Sequence, residues 1–172
     1  AYVLAELTAA GYEVEQQRFV ARTPTYLDGA GSPVDVDLRS VALAYPPEVL
    51  AAKEVVGALT FMESASPAVK PCPEGVVVLR LSDEAQAALV SELAKRCGAR
   101  TTAVLGITAS DAAWIFAQQR TKQVRFPIAE HLWARPAGSS PTDWLITQLD
   151  STGPGASQSA AAVAVLLEVA RE

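Results

Sequence analysis

The order of apolar and polar positions predicts a chain of alternating strands and helices. Val3, Leu4 and Leu7 fall at helical spacing within residues 2–10, and Gly11 follows where a helix would stop. From Tyr12 to Val20 the pattern alternates, with Tyr12, Val14 and Gln16 on one face, which predicts a strand with a solvated side. Residues 21–35 contain Pro24, Pro33, Gly29 and Gly31 and read as a loop. Val36 to Ala44 alternates again until Pro46-Pro47 breaks it, Val55 to Met62 is a short apolar strand, and residues 64–75 form a Ser/Pro-rich loop.

The clearest local unit follows. Val76-Val77-Val78-Leu79-Arg80-Leu81 has the pattern of a buried strand, and Ser82 and Asp83 suit a helix N-cap. Ala85, Leu89, Leu93 and Ala94 make an apolar stripe on a helix through Arg96, Gly98 closes it, and Thr101 to Ile107 is a second β-branched strand. Strand, helix, strand over 76–107 predicts two parallel strands joined by a crossover. Ser110 and Asp111 cap a further helix through Gln119. Val124 to Phe126 begins a strand that Pro127 limits, and Ile128 to Trp133 reads as strand beside that proline. Leu132–Arg135 and Trp144–Leu149 are strand-like on either side of a turn at 136–141. Gly153-Pro154-Gly155 is another turn, and a helix is predicted over 157–171. The fold class is therefore α/β, a mixed sheet flanked by helices.

Composition narrows the function. Of 172 residues, 50% are hydrophobic, enough for a real core. The net charge of -5 argues against a phosphate-backbone binder, so no nucleic-acid partner is expected. The most apolar run, Ala160 to Leu167, falls short of the roughly 18–20 residues of a membrane span, so no membrane partner is expected. The chain opens Ala1-Tyr2-Val3-Leu4, with no basic leader and no start methionine, and both ends run into predicted helices. It reads as a processed or excised piece.

Candidate chemistry is sparse. One histidine and two cysteines leave a zinc site short of its usual three or four Cys, His or carboxylate ligands, so no cofactor is expected. His131 lies in a strand-like stretch and reads as structural or surface-exposed. Cys72 precedes the 76–81 strand and Cys97 ends the following helix. A helix after a strand runs back toward the strand's start, so the two sulfurs can meet in a disulfide; two free thiols are the alternative. Asp28, Asp35 and Asp37 lack the spacing of a calcium loop and read as a solvated face. Trp114, Trp133 and Trp144 read as packing residues, with Trp133 and Trp144 marking a docking surface if they share one exposed sheet face. Ser110, Asp111 and Ser157 sit where helices start and are explained by capping; none lies in a nucleophile elbow.

One long stretch carries a resemblance. Leu132-Trp133-Ala134-Arg135-Pro136-Ala137-Gly138 is followed by Trp144-Leu145-Ile146-Thr147-Gln148-Leu149-Asp150-Ser151. Then come Gly153-Pro154-Gly155-Ala156-Ser157-Gln158-Ser159 and Val165-Leu166-Leu167-Glu168-Val169-Ala170-Arg171. This order resembles the aminopeptidase-type di-zinc exopeptidases, in which a strand ends His-x-Asp-Ser and a Pro-Gly-Ala-x-Asp-Asn turn leads into a helix. The match covers residues 132–171. That family often carries a protease-associated domain ahead of this strand pair. The strand from Gly75 to Leu79, the helix ending Arg96-Cys97-Gly98-Ala99 and the strand from Thr102 are similar to that domain's strand, helix and strand. The resemblance implies a protease-associated-like lobe at 21–130, inserted in a truncated exopeptidase-like remnant formed by 1–20 with 131–172.

The departures matter more than the match. The resemblance puts Gln148 where the family has a zinc-binding His, and Gln158 where it has the Asp that bridges both zincs. A neutral carboxamide is a poor zinc ligand and cannot balance two dications. Asp150 matches a residue that supports a ligand, with no ligand here to support. The family's remaining ligands and its general-base Glu lie downstream of this stretch, beyond Glu172. The reading is a non-catalytic binding or scaffold module of a larger chain, not a zinc peptidase. The Ala/Val/Arg/Gly-rich composition is similar to that of high-GC bacterial multidomain proteins, including polyketide-synthase-like biosynthetic chains. The alternatives are a metal-independent enzyme with Asp150 and His131 as acid/base groups, and a fragment of a secreted pseudo-peptidase. The location follows: cytoplasmic in a synthase, extracellular in a secreted protein. Helix 157–171 is apolar nearly all round, so it should be covered by other domains of the parent chain or by a second copy in a homodimer.

Overall fold

A computed structural model of the chain describes residues 2–64, 72–138 and Glu168. In order, the elements are α1 (Tyr2–Ala9), β1 (Tyr12–Val20), β2 (Thr25–Leu27), β3 (Arg39–Ala44), β4 (Glu54–Met62) and β5 (Gly75–Arg80). They continue with α2 (Ala88–Cys97), β6 (Thr101–Thr108), α3 (Asp111–Arg120) and β7 (Gln123–Pro136). The seven strands make a mixed sheet flanked by helices, as the sequence pattern predicts. No described helix is long and apolar enough to cross a membrane. The predicted strand at Trp144–Leu149 and the predicted helix at 157–171 lie outside the described residues, apart from Glu168, which is helical.

The chain divides into two compact units, one of Ala1–Phe19 with Ala129–Glu172 and one of Val20–Ile128. In the second unit the strand order is β7-β4-β5-β6-β3, with β2 also paired to β7. β5 lies parallel to both β4 and β6, whereas β3 and β7 run antiparallel to their neighbours. The central strand explains its own sequence. Val76 and Val78 pack into one core cluster with Leu105, Ile107, Phe126 and Trp114 of α3. Val77 and Leu79 pack into another with Val104 and with Val90 and Leu93 of α2. A strand covered on both faces needs apolar side chains at every position, hence the unbroken Val-Val-Val-Leu run.

Gly106 lets α2 come close. A Cβ on Gly106 would sit 2.5 Å from Val90 Cγ2 and 2.9 Å from Leu81 Cδ1, so only a residue without a side chain fits between helix and sheet there. Gly98 ends α2 with φ at 56°, a left-handed conformation that favours glycine. In the first unit, Leu7 of α1 is buried against Val3, Tyr12, Val14 and Ala134. β1 hydrogen-bonds to β7, and Arg135 pairs with Glu13.

Three boundaries differ from the sequence expectation. β2 lies inside the predicted loop at 21–35. Its three residues are strand only because they pair with Gln123–Arg125 of β7, a long-range contact that leaves no local periodicity. β3 starts at Arg39 rather than Val36: the ladder begins at Arg39 opposite Thr108, while Val36 and Leu38 are core-packing residues outside it. β7 runs unbroken through Pro127, where an interruption is expected. Pro127 occupies the last rung of the β4–β7 pairing, opposite Glu54, so its missing N–H removes no interior ladder bond. Its carbonyl accepts from Ala21 N at 2.9 Å.

Candidate functional site

Three parallel strands place their carboxyl ends on one edge of the second unit. The chain leaves β4 at Glu63-Ser64, β5 at Arg80-Leu81-Ser82 and β6 at Thr108-Ala109-Ser110. These residues, with Gln86 and Leu89, line an open cleft of about 740 Å³. Open α/β sheets bind ligands in this position, beyond the carboxyl ends of parallel strands.

The cleft is built on short-range chemistry. Ser110 accepts from Ala113 N at 3.3 Å and so caps α3. Asp83 accepts from Gln86 N at 3.2 Å and caps the 3₁₀ turn at Glu84–Ala87 that leads into α2. Gln86 folds back so that its Oε1 accepts from Ser82 N at 3.1 Å, fixing the chain as it leaves β5. Leu81 forms a buried apolar floor, with Leu89 half-buried beside it.

Its electrostatics centre on Arg80. The guanidinium donates to Glu63 Oε2 at 3.3 Å and to Asp111 Oδ1, and lies 5.6 Å from the centre of the Trp114 ring. Asp111 above all, then Glu63, hold the guanidinium pKa above its usual value. The other Glu63 oxygen accepts from Trp114 Nε1 at 2.5 Å. Trp114 is thus 1% exposed yet satisfied, with its indole N–H bonded and its ring edge-on to Phe61 at 5.2 Å.

The residues singled out from sequence fall in different places. Cys72 and Cys97 are joined by a disulfide, with their Cα atoms 5.4 Å apart. His131 is exposed on the later part of β7, its ring 4.3 Å from that of Phe19 and 6.3 Å from that of Trp133, which is half-buried. Asp28 is a turn residue whose Oδ1 accepts from Ala30 N at 2.8 Å and Ser32 N at 2.9 Å, and these bonds hold its carboxyl below the usual range. Asp35 and Asp37 are exposed. Ser110 caps α3, and Asp111 pairs with Arg80 at the cleft. Gln148, Asp150, Gln158, Trp144 and Ser157 lie outside the described residues.

Sequence reasoning misses Glu63 and Arg80. Arg80 carries a signal, a charge ending a wholly apolar strand in a predicted parallel pair. Glu63 carries none, because its meeting with Arg80 depends on β4 lying beside β5. Among the described residues no three His, Cys, Asp or Glu side chains are grouped so that they could hold a metal ion. The two carboxylates at the cleft already accept from Arg80 and Trp114, so the described donors do not fit a zinc centre.

No family model matches the chain, and no curated protein matches it. Among solved structures, it is similar to the zinc aminopeptidase of Bacillus subtilis, with a TM-score of 0.34 and 14% identity over 99% of this chain and 50% of that one. A second structure of that enzyme gives the same TM-score and identity over 49% of its chain. An aminopeptidase from Aneurinibacillus sp. strain AM-1 gives 0.32 and 19%, over 99% of this chain and 51% of that one. The similarity to these aminopeptidases is weak, and the chain spans about half of their length.

Proposed function

We propose that this chain is a non-catalytic, peptidase-like binding or scaffold module of a larger protein, and that its binding surface is the cleft at the carboxyl ends of β4, β5 and β6. The observation that carries this reading is the content of that cleft. Its hydroxyls (Ser64, Ser82, Thr108 and Ser110) have no His, Lys or Cys beside them among the lining residues to take a proton. Its one lining carboxylate, Glu63, has both oxygens engaged, by Trp114 and by Arg80. A hydrogen-bonded cleft without a nucleophile–base pair among its lining residues is suited to holding a ligand rather than cleaving it.

In the same reading, residues 21–130 are a protease-associated-like lobe, and residues 1–20 with 131–172 are an exopeptidase-like remnant whose ligand positions hold Gln148 and Gln158. The grouping of Val20–Ile128 as one compact unit, with both flanks in the other, supports an insertion of this kind. The parent is proposed to be a bacterial multidomain chain of polyketide-synthase type, on composition alone. Helix 157–171 is proposed as the surface that meets neighbouring domains or a second copy.

The test is zinc content after dialysis against zinc, by elemental analysis, together with release of p-nitroaniline from aminoacyl-p-nitroanilides. The expected result is no retained zinc and no release above a protein-free blank. Stoichiometric zinc with turnover would overturn the proposal. Light scattering across a concentration series tests the helix, and a monomer at every concentration would remove the homodimer.

A further inference from the structure

We propose that the Cys72–Cys97 bond is a redox latch open to small thiols from one side only: an incoming thiolate attacks at Cys72, and Cys97 recloses the bond behind it. The proposal does not rest on the cleft, which lies at the other end of β5.

The two sulfurs belong to residues that differ in burial. Cys97, the last residue of α2, is 7% exposed and belongs to the core cluster that holds Val77, Val90, Leu93 and Val104. Cys72, just ahead of β5, is half-buried and packs against the same cluster. Exchange between a thiol and a disulfide depends on which sulfur the incoming thiolate can approach. Attack at Cys97 would require the core around α2 to open, whereas attack at Cys72 would not.

The step balances as follows. The thiolate bonds to Cys72 Sγ as the Sγ–Sγ bond breaks, and the electron pair leaves on Cys97 Sγ, which takes up a proton. A second small thiol then attacks the sulfur of the first and releases Cys72 as a thiol. Two small thiols are thereby oxidised to one disulfide, and the protein bond is reduced to two thiols. Before that second attack, Cys97 competes for the mixed disulfide at Cys72. A thiolate among apolar side chains is poorly stabilised, so Cys97 leaves slowly and returns readily.

Cys97 is also held beside its target by contacts other than the sulfur bond. The Thr101 hydroxyl, on a residue 2% exposed, donates to Pro73 O at 2.8 Å, and Gly75 pairs with Thr101 where β5 meets β6. Only the 3₁₀ turn Gly98–Arg100 separates Thr101 from Cys97. These ties keep the two Cα atoms near their 5.4 Å separation when the bond is open. Groups held this way react as if at high effective concentration, so the mixed disulfide is short-lived.

The experiment exposes the whole chain to glutathione, quenches with acid at intervals and locates bound glutathione by peptide mass spectrometry. Opening is expected to be at least about ten-fold slower in the folded chain than in urea, where both sulfurs are accessible, with no adduct accumulating on the folded, unmodified chain. In Cys97→Ala, oxidised glutathione should leave a stable adduct at Cys72, because the reclosing thiol is gone. In Cys72→Ala, Cys97 should stay unmodified until urea is added. Circular dichroism checks that each variant is folded, and if one is not, the opening rates of the unmodified chain with and without urea decide the matter. Equal opening rates, glutathione on Cys97 of a folded chain, an adduct that accumulates on the folded, unmodified chain, no adduct on folded Cys97→Ala, or two free thiols in the non-reduced protein overturns the proposal.

Discussion

Replacing Gly106 by alanine tests whether α2 lies as close to the sheet as described. The new Cβ would fall 2.5 Å from Val90 Cγ2, 2.9 Å from Leu81 Cδ1 and 3.4 Å from Ala42 Cβ. All three neighbours are side-chain carbons in the core on one face of the sheet, and Val90 is fully buried, so relief requires either a rotamer change or a shift of α2. Overpacking of this kind costs about 1–3 kcal/mol, somewhat offset because alanine restricts the unfolded chain more than glycine does. In a domain of roughly 100 residues, each kcal/mol shifts the melting midpoint by about 4–8 °C, so the expected loss is several degrees. Urea unfolding followed by circular dichroism should show the midpoint fall with its slope unchanged. The partner in the clash can be identified as well. In a Val90→Ala background the shortest of these contacts is gone while that to Leu81 stays, so Gly106→Ala should cost less there than in the unmodified chain. Equal costs in both backgrounds, or a midpoint that does not fall, would refute the close approach.

Four further outcomes are expected. Reducing or removing the Cys72–Cys97 bond, whose partners are 25 residues apart, should cost about 3 kcal/mol, and thiols that titrate in the non-reduced protein would show that the bond is absent. Ser110→Ala removes the acceptor for Ala113 N and should destabilise by about 0.5–2 kcal/mol, measured by urea unfolding; no change would mean that the cap is not formed. Burial pushes the Tyr26 phenol well above its ordinary value of about 10, so the unfolded chain loses this proton before the folded one does. The resulting stability is complete below about pH 10 and falls as pH rises beyond it, and a loss of the same size in Tyr26→Phe would show that another group is responsible. Since the Tyr26 hydroxyl is buried without a partner among the described residues, Tyr26→Phe should be neutral or stabilising at pH 7, and a clear loss of stability would reveal a hydrogen bond there.

Much of the architecture was legible in the sequence because it arises from short-range patterns. Val76–Leu79 reads as a doubly covered strand because every position is apolar. The α2 stripe of Leu89 and Leu93 reads as a helix face, and Ser110 as a cap, because each interacts within a few residues of itself. The parallel pairing of β5 and β6 follows from the helix between them. Pairing between distant segments leaves no such trace. β2 exists through β7, Pro127 is tolerated because its rung is the last one, and the need for glycine at 106 comes from a helix that begins 18 residues earlier. The cleft divides in the same way. The ends of β5 and β6 could be placed from the predicted parallel pair. The meeting of Glu63, Arg80, Asp111 and Trp114, drawn from three elements spread over 51 residues, could not, because a charge network depends on ångström distances that only the register of β4 against β5 and the seating of α3 provide. The sequence by itself determined the α/β class and the order of elements, since periodicity and capping are local. Tertiary structure decided which charged groups face one another, since that depends on contacts between residues far apart in the chain.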